Sequence, residues 1–500
     1  MRSDPIVLGI DFGTTELKVS AFEPASGRKL RQEARRLPVR ALPHGGREQN
    51  LIAVDKAFQE CVDALRQQFG KAWGRLAGVG LAAQGGSSIV AVRTTGRPLT
   101  PMILWNDGRT QAYSTRLGEQ FDRQFWRKFS LFDVPPHGLA RLLWMKETHP
   151  DYFQEKYIHI GAGEYLFFRL TGVWRQDPGN AIQMGSYNAV NKQLDSALFD
   201  SIGVPLSFVA PLRQGHETAP LSEAGAQRLG TEEGIPVAGP YIDQEAGYMS
   251  AAGVNSRPLQ CSLGTAWVGN FVLPDKTGGT SPFQLVLPSP IDEGRLVVQP
   301  LLTGNAVWEW GLQRFIDSNR EKALEIAKKT FEQFLLPPEG LTALPWFSQS
   351  NPLQQQVYGG GAFFGLSDQA KAADCLRALA AAMTFELARV FDAVIHSGVV
   401  DCAVLGGGAS KGPFFRRLIA ALFAPLPVYW QTDENLAAAR GAIYPFCPKT
   451  AKSHARQVDP PNQTTMDATH RQYQQYLALF EKYYQSVPAG GAFRFTGRKK

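Results

Sequence analysis

A Gly-Thr turn between two β-rich runs occurs twice in this chain, half its length apart, and that repetition constrains the fold more than any other feature. The opening run Ile-Val-Leu-Gly-Ile-Asp-Phe ends at Gly13-Thr14-Thr15, before a second run with apolar residues at Leu17, Val19 and Ala21. Later, Gln260-Cys261-Ser262-Leu263 ends at Gly264-Thr265, before Ala266-Trp267-Val268-Gly269-Asn270-Phe271. Gly13 and Gly264 lie 251 residues apart in a chain of 500. A second echo follows in the same order: Gly78-Val-Gly-Leu-Ala-Ala-Gln-Gly-Gly reads as a buried strand ending in glycines, and so does Asp401-Cys-Ala-Val-Leu-Gly-Gly-Gly-Ala-Ser. One Gly-Thr hairpin turn is commonplace; two echoes in one order predict two alike lobes, 1–253 and 254–500, in an α/β chain whose strand-like and helix-like segments alternate.

Composition narrows the class. Hydrophobic residues are 44% and charged residues 19% of the chain, enough apolar material for extended cores and too much for intrinsic disorder. With 52 Lys and Arg against 45 Asp and Glu, the formal charge is +7, a small surplus on a large surface. The dense basic clusters are short (Arg35-Arg36, Arg416-Arg417, Arg498-Lys499-Lys500) and read as solvated surface, so no nucleic-acid partner is expected. Cys61, Cys261, Cys375, Cys402 and Cys447 stand far apart, which suits structural thiols in a reducing compartment better than a disulfide frame or a zinc site. The first apolar run is five residues, too short for a signal segment, and longer ones such as 418–430 contain Pro425 and Pro427. A cytoplasmic protein with no membrane partner is the expectation.

A helix is predicted over 54–69, where Ala57, Cys61, Ala64, Leu65 and Gln68 recur at helical spacing. Gly78, Gly80 and Ala83 match the loose dinucleotide pattern G-x-G-x-x-A, but a turn and another strand follow where that pattern needs a helix, so a nicotinamide oxidoreductase is disfavoured. No G-x-x-x-x-G-K-[ST] occurs. Beyond Lys449 the chain turns polar and aromatic, with Tyr473, Tyr476, Tyr483 and Tyr484 placed for a terminal helix on the second lobe.

Three places could carry chemistry. At Asp11-Phe12-Gly13-Thr14-Thr15, backbone N–H groups freed of a Cβ and two hydroxyls suit phosphate oxygens. Asp11 suits a magnesium ion held through water, and Lys18 could neutralise further charge. An ordinary hairpin capped by Asp11 is the plain alternative. At Gly406-Gly407-Gly408-Ala409-Ser410-Lys411-Gly412, a glycine loop before a helix bearing Phe414, Leu418 and Ile419 could admit an adenine or ribose, or simply pack tightly. Asp243 ends a strand before a helix with small residues at Ala246, Gly247, Ser250 and Ala251; it would serve either as an N-cap or as an acid facing a cleft between the lobes.

In this order these pieces resemble the FGGY carbohydrate kinases of the actin, Hsp70 and sugar-kinase superfamily, over residues 6 to about 447. Gly9-Ile-Asp-Phe-Gly-Thr-Thr and Ser262-Leu-Gly-Thr resemble the family's two phosphate turns, Asp243-Gln244 its catalytic-acid segment, and Gly406-Gly-Gly-Ala-Ser its adenosine segment. Ala362-Phe-Phe-Gly-Leu and Ala437-Ala-Ala-Arg-Gly-Ala are similar to further family blocks, and Leu104-Trp-Asn-Asp-Gly-Arg-Thr to the substrate-lobe block of xylulokinases. The resemblance implies two ribonuclease-H-like lobes with an interlobe cleft, and ATP- and Mg²⁺-dependent phosphorylation of a sugar or polyol hydroxyl. Asp243 would be the base and Asp11 would hold the metal. Gly13, Thr14, Thr15, Lys18, Gly264, Thr265, Gly304, Trp308, Gly407, Gly408 and Gly412 would contact the nucleotide. Gln84, Gly85, Gly86, Trp105, Asn106, Asp107, Asp243 and Gln244 would meet the sugar, and lobe closure would keep water from the γ-phosphate.

Departures concern the substrate. Xylulokinases carry Met-His, and glycerol kinases Arg-Glu, where this chain has Gly85-Gly86 after Gln84. Asp243-Gln244 is closer to the glycerol-kinase Asp-Gln than to Asp-Asn, and a Gly-Glu-Arg of many relatives is replaced within Ser348-Gln-Ser-Asn-Pro. The missing side chains imply a roomier pocket or one filled from elsewhere. A ketopentose such as xylulose is the first expectation; glycerol, erythritol or gluconate kinases, and a silent sugar or nucleotide sensor, are the alternatives. A homodimer is left open.

Overall fold

A computed structural model describes residues 4–130, 134–274, 284–291, 293–301, 303–347, 361–433, 436–447 and 455–484. The chain divides into two compact units: Met1–Gly253 with Val286–Leu296 and Leu436–Ser453, and Val254–Leu285 with Val297–Asn435 and His454–Lys500. Two segments beyond residue 253 therefore belong with the first unit. The replaced motif at 348–352 and the terminal basic cluster lie outside the described residues.

In the first unit, β1 (Ile6–Phe12) is buried along its whole length, as a central strand covered on both faces must be. It forms a hairpin with β2 (Glu16–Glu23), with Phe12 opposite Leu17, and β2 pairs with β3 (Arg28–Arg36) at one edge. On its other side β1 runs parallel to β4 (Leu76–Ala83), which runs parallel to β5 (Pro236–Ile242). Helix α1 (Leu51–Phe69) starts three residues before the sequence predicts, because Asn50 caps it by accepting the Ile52 N–H at 2.8 Å, a contact worth ~1 kcal/mol. Its buried face runs through Val54, Ala57, Phe58, Cys61, Val62 and Leu65; Gln68 is exposed, so the helical stripe ends one turn earlier than its spacing suggests.

The late helix Ala437–Ala442 shows why segment 436–453 counts with this unit. A Cβ on Gly9 of β1 would lie 2.2 Å from the Ala439 carbonyl oxygen, and one on Gly80 of β4 2.1 Å from that of Ala442. Of the loose dinucleotide pattern, Gly80 thus lets this helix approach the sheet, and Gly78 makes room for the Phe446 ring, 2.9 Å from where a Cβ would lie.

The second unit repeats the plan. Strands β6 (Pro258–Leu263) and β7 (Trp267–Leu273) form a hairpin, with Leu263 opposite Trp267. β6 runs parallel to β8 (Cys402–Gly406), and β8 to β9 (Val428–Gln431). Its core is organised around a 25-residue helix, Ala372–His396, apolar on nearly all sides and correspondingly buried. The terminal helix Gln463–Tyr484 packs here through Tyr473 and Tyr476, the latter donating to Glu386 Oε2 at 2.8 Å.

Candidate active site

In the first unit, Gly13 closes the β1–β2 turn by donating its N–H to the Glu16 carbonyl at 3.0 Å. The hairpin register sets Asp11 opposite Lys18, whose Nζ lies 3.3 Å from Asp11 Oδ2 and 3.6 Å from Glu16. Lys18, expected at the nucleotide, is thus engaged with the carboxylate expected at the metal. Burial raises the Asp11 pKa and Lys18 opposes that rise. Thr14 Oγ1 donates to Gln84 Oε1 at 3.1 Å and accepts from Trp105 Nε1 at 3.2 Å. Gln49 donates to the Thr14 carbonyl at 2.6 Å and accepts from Gln84 Nε2 at 3.3 Å. The Thr14 hydroxyl and the Gln84 carboxamide therefore lock each other, while Thr15 is exposed. Gln49, in a short strand with no motif around it, gave no signal in the sequence.

Asp243 is the first residue of a helix, Asp243–Ala252, that follows β5. It is not the N-cap. Ile242 takes that position, and the carboxylate of Glu245 does the capping by accepting the Ile242 N–H at 3.0 Å. Asp243 is thereby relieved of the structural task the sequence allowed it: its Oδ1 accepts the N–H of Gln244 at 2.9 Å. Burial first, and then the negative charge of Asp11, push its carboxyl up to about 7. Such a group exchanges protons near neutrality. Behind it, Glu245 and Asp177 form a buried carboxyl pair, both raised first by burial, with Glu245 pushed further by Asp177. Asp177 in turn caps the helix Pro178–Met184 through the Asn180 N–H at 2.9 Å. A Cβ on Gly179 would overlap Glu245 Oε1 at 2.1 Å, so this glycine makes room for the pair.

Gly85 and Gly86 follow β4, and Gly86 takes φ +70°. The Gly86 N–H donates to Asn180 Oδ1 at 3.3 Å. Arg141, 1% exposed, donates to the Gly86 carbonyl at 2.6 Å, to Ser88 Oγ at 2.9 Å and to the Leu104 carbonyl at 3.1 Å. It ties the 84–88 loop to the 104–107 loop. Its trace in the sequence is a single charge in the apolar run Leu139-Ala140-Arg141-Leu142-Leu143. Within the second loop Trp105 reaches Thr14, and Asn106 Oδ1 is buried with no hydrogen-bond partner among the described residues, which leaves an acceptor unused. Asp107 is set to another task than the sugar contact expected of it. Its side chain is fully buried, bonded to the Arg47 N–H at 2.7 Å and bidentate to Arg109, which itself reaches Glu48 at 2.8 Å.

In the second unit the Gly264-Thr265-Ala266 turn is held by backbone and one carboxamide. The Asn305 N–H donates to the Gly264 carbonyl at 3.0 Å. Asn305 Nδ2 donates to the Leu263 carbonyl at 3.1 Å, and its Oδ1 accepts Trp267 Nε1 at 3.1 Å. Asn305, beside the expected Gly304, was not anticipated. Gly304 must be glycine because a Cβ would sit 2.3 Å from the Thr265 carbonyl oxygen. Gly407, at φ +87°, backs directly onto Leu263, and a Cβ on Gly408 would lie 3.2 Å from Asn305 Nδ2. Gly264, Thr265, Gly304, Gly407 and Gly408 thus converge. Gly412 stands one turn on, before the helix Pro413–Phe423. Gly264 itself has no internal reason to be glycine: a Cβ there would meet nothing nearer than 3.6 Å, and Thr265 is exposed. Trp308 does not join them. At 5% exposure its indole packs against Phe331, Phe414 and Phe415 in the core, so it supports the loop from behind and does not flank a nucleotide.

Among the described residues no three His, Cys, Asp or Glu side chains gather as metal ligands. Asp11 is one buried carboxylate of the kind that would hold a magnesium ion alongside water and phosphate oxygens. Nor is any described helix long and apolar enough to cross a membrane.

The N-terminal domain of the FGGY family of carbohydrate kinases matches residues 6–250, and its C-terminal domain residues 259–445. A glycerol kinase of Acaryochloris marina is 24% identical over 89% of this chain and 89% of its own. A gluconokinase of Bacillus subtilis is 21% identical over 83% and 82%. The solved structure of a xylulose kinase from Rhodospirillum rubrum superposes with a TM-score of 0.82 at 19% identity, over 96% of this chain and 99% of that one. With both family domains matched along nearly its whole described length, the chain belongs to the FGGY carbohydrate kinases and is a sugar or polyol phosphotransferase.

Proposed function

We propose that the protein transfers the γ-phosphate of ATP to a hydroxyl of a small ketose, with a ketopentose such as xylulose as the first candidate. The observation that carries the reading is Asp243: a carboxylate at a helix start, spared from capping by Glu245, with its pKa raised to about 7. Asp243 accepts the proton of the attacking hydroxyl, and that oxygen bonds to the γ-phosphorus as the bond to the β-phosphate oxygen breaks, releasing ADP. The Gly264-Thr265 turn and the Gly407-Gly408 loop offer backbone N–H groups and open space to phosphate and nucleoside. Asp11 would hold magnesium, which would neutralise charge on the phosphates. The amide-lined loops at 84–86 and 104–106 orient the sugar. In this reading the protein works in the cytoplasm.

A coupled ADP-release assay over D-xylulose, D-ribulose, glycerol, erythritol and gluconate tests it. ADP release with a ketopentose as the best substrate is expected. A preference for glycerol or gluconate overturns the substrate, and binding without turnover overturns the catalysis.

A further inference from the structure

Two adjacent glycines at 85 and 86 leave a space beside Ile242-Asp243, and the structure shows what occupies it. Gln183 reaches over both from the helix Pro178–Met184. A Cβ on Gly85 would lie 2.5 Å from Gln183 Nε2 and 3.0 Å from Ile242 Cγ2, while one on Gly86 would lie 3.0 Å from Gln183 Oε1. The carboxamide therefore stands where side chains of residues 85 and 86 would stand, and Ile242, the residue before Asp243, borders the position of the first. Gln183 is half-buried, and its one internal hydrogen bond among the described residues is a long one, Nε2 to the Gly179 carbonyl at 3.3 Å. A half-buried amide with its oxygen and one N–H unused has capacity for a ligand.

The charge around it is equally informative. Lys18 is paired with Asp11, Arg109 with Asp107 and Glu48, and Arg141 with two carbonyls and a hydroxyl. Ser87 and Arg141 are buried, Arg141 at 1% exposure, so its charge is closed to a ligand even though its Nε has no partner among the described residues; the carboxamides of Asn106 and of Gln183, on its helix beside these loops, are half-buried. Amides donate and accept, which matches hydroxyls; they offer no full positive charge to a carboxylate.

We propose that Gln183 is a specificity-determining residue: its carboxamide replaces the side chains absent at Gly85 and Gly86 and reads a hydroxyl of a neutral ketose or polyol, against sugar acids. This rests on the proposed reading that a sugar binds beside the 84–86 loop.

The test compares the parent with Gln183→Met, which keeps the volume over the glycines but loses the hydrogen bonds, and with Gln183→Ala. Steady-state kinetics and calorimetric binding are measured on the full chain with D-xylulose, D-ribulose, glycerol, erythritol and gluconate. The parent should favour a neutral substrate over gluconate by at least about tenfold. Gln183→Met should raise KM and Kd for that substrate roughly tenfold, with kcat within about threefold, ATP KM unchanged and Tm within about 3 °C. An unchanged KM in Gln183→Met, a fall in kcat together with a rise in ATP KM, or gluconate as the best substrate overturns the proposal. If the parent binds a neutral sugar without releasing ADP and Gln183→Met weakens that binding, the proposal stands while the catalytic reading falls. No sugar binding by the parent overturns both.

Discussion

The two Gly-Thr turns look alike in sequence but are held in opposite ways. The first is fastened by side chains: Thr14, Gln84, Gln49 and Trp105 form a closed set of hydrogen bonds, and Asp11 is tied to Lys18. The second is fastened mainly by backbone and by glycines that let chain segments touch, with the Asn305 side chain spanning it. Asp243 follows the third parallel strand of the first unit, whereas the corresponding strand of the second ends at Gln431-Thr432. In the proposed function one hairpin plan serves two purposes. A side-chain network fixes directions, as selective recognition and proton transfer require; an open glycine cradle admits a large polyanion without choosing among its rotamers.

The largest expected effect breaks the symmetry outright. Asp243→Ala should retain its fold and lose about 10³-fold or more in kcat, measured by ADP release. In the parent, activity should fall about tenfold per pH unit below an apparent pKa of about 7, as the base becomes protonated. Stability runs the other way. A carboxyl whose folded pKa lies above its unfolded value of 3.8 binds more protons when folded, so this group's contribution declines as pH rises from about 4 to 7. Asp243→Asn should therefore gain in Tm over the parent more at pH 8 than at pH 5, while being inactive at both.

Next in size, Gly407→Ala forces a side chain into a left-handed backbone against Leu263 and should cost about 2 kcal/mol or more, seen as a lowered urea midpoint. Gly264→Ala separates cradle from scaffold: with 3.6 Å of room, Tm should hold, while ATP KM rises about tenfold and sugar KM stays put. A matched fall in Tm would show that the glycine serves the fold alone. The smallest expected effect is Thr14→Val, which removes the bridge between Gln84 and Trp105 at about 1–2 kcal/mol of stability. It should perturb sugar KM more than ATP KM, the reverse of Gly264→Ala.

The hairpins, the parallel glycine-ended strands and the position of Asp243 were legible because period, glycine placement and an acid at a strand end are local signals. Trp308 and Asp107 were misread for one reason: a motif position records where a residue stands in the chain, and burial against Phe414 and Phe415, or ion pairing with Arg109, is a matter of distant neighbours. Arg141, Gln49, Asn305 and Gln183 escaped notice because each acts on a loop 35 or more residues away.

By itself the sequence determined the doubled α/β plan and the kind of chemistry, since both are written in short-range patterns of glycine, threonine and aspartate. Only the tertiary structure decided which groups are free to act. It freed Asp243 by giving its cap to Glu245, tied Lys18 to Asp11, and returned the helix Ala437–Ala442 to the first unit's sheet. The physical reason is that hydrogen bonds, ion pairs and close packing are settled by proximity in space, and a buried donor or acceptor takes whatever partner the fold brings within reach.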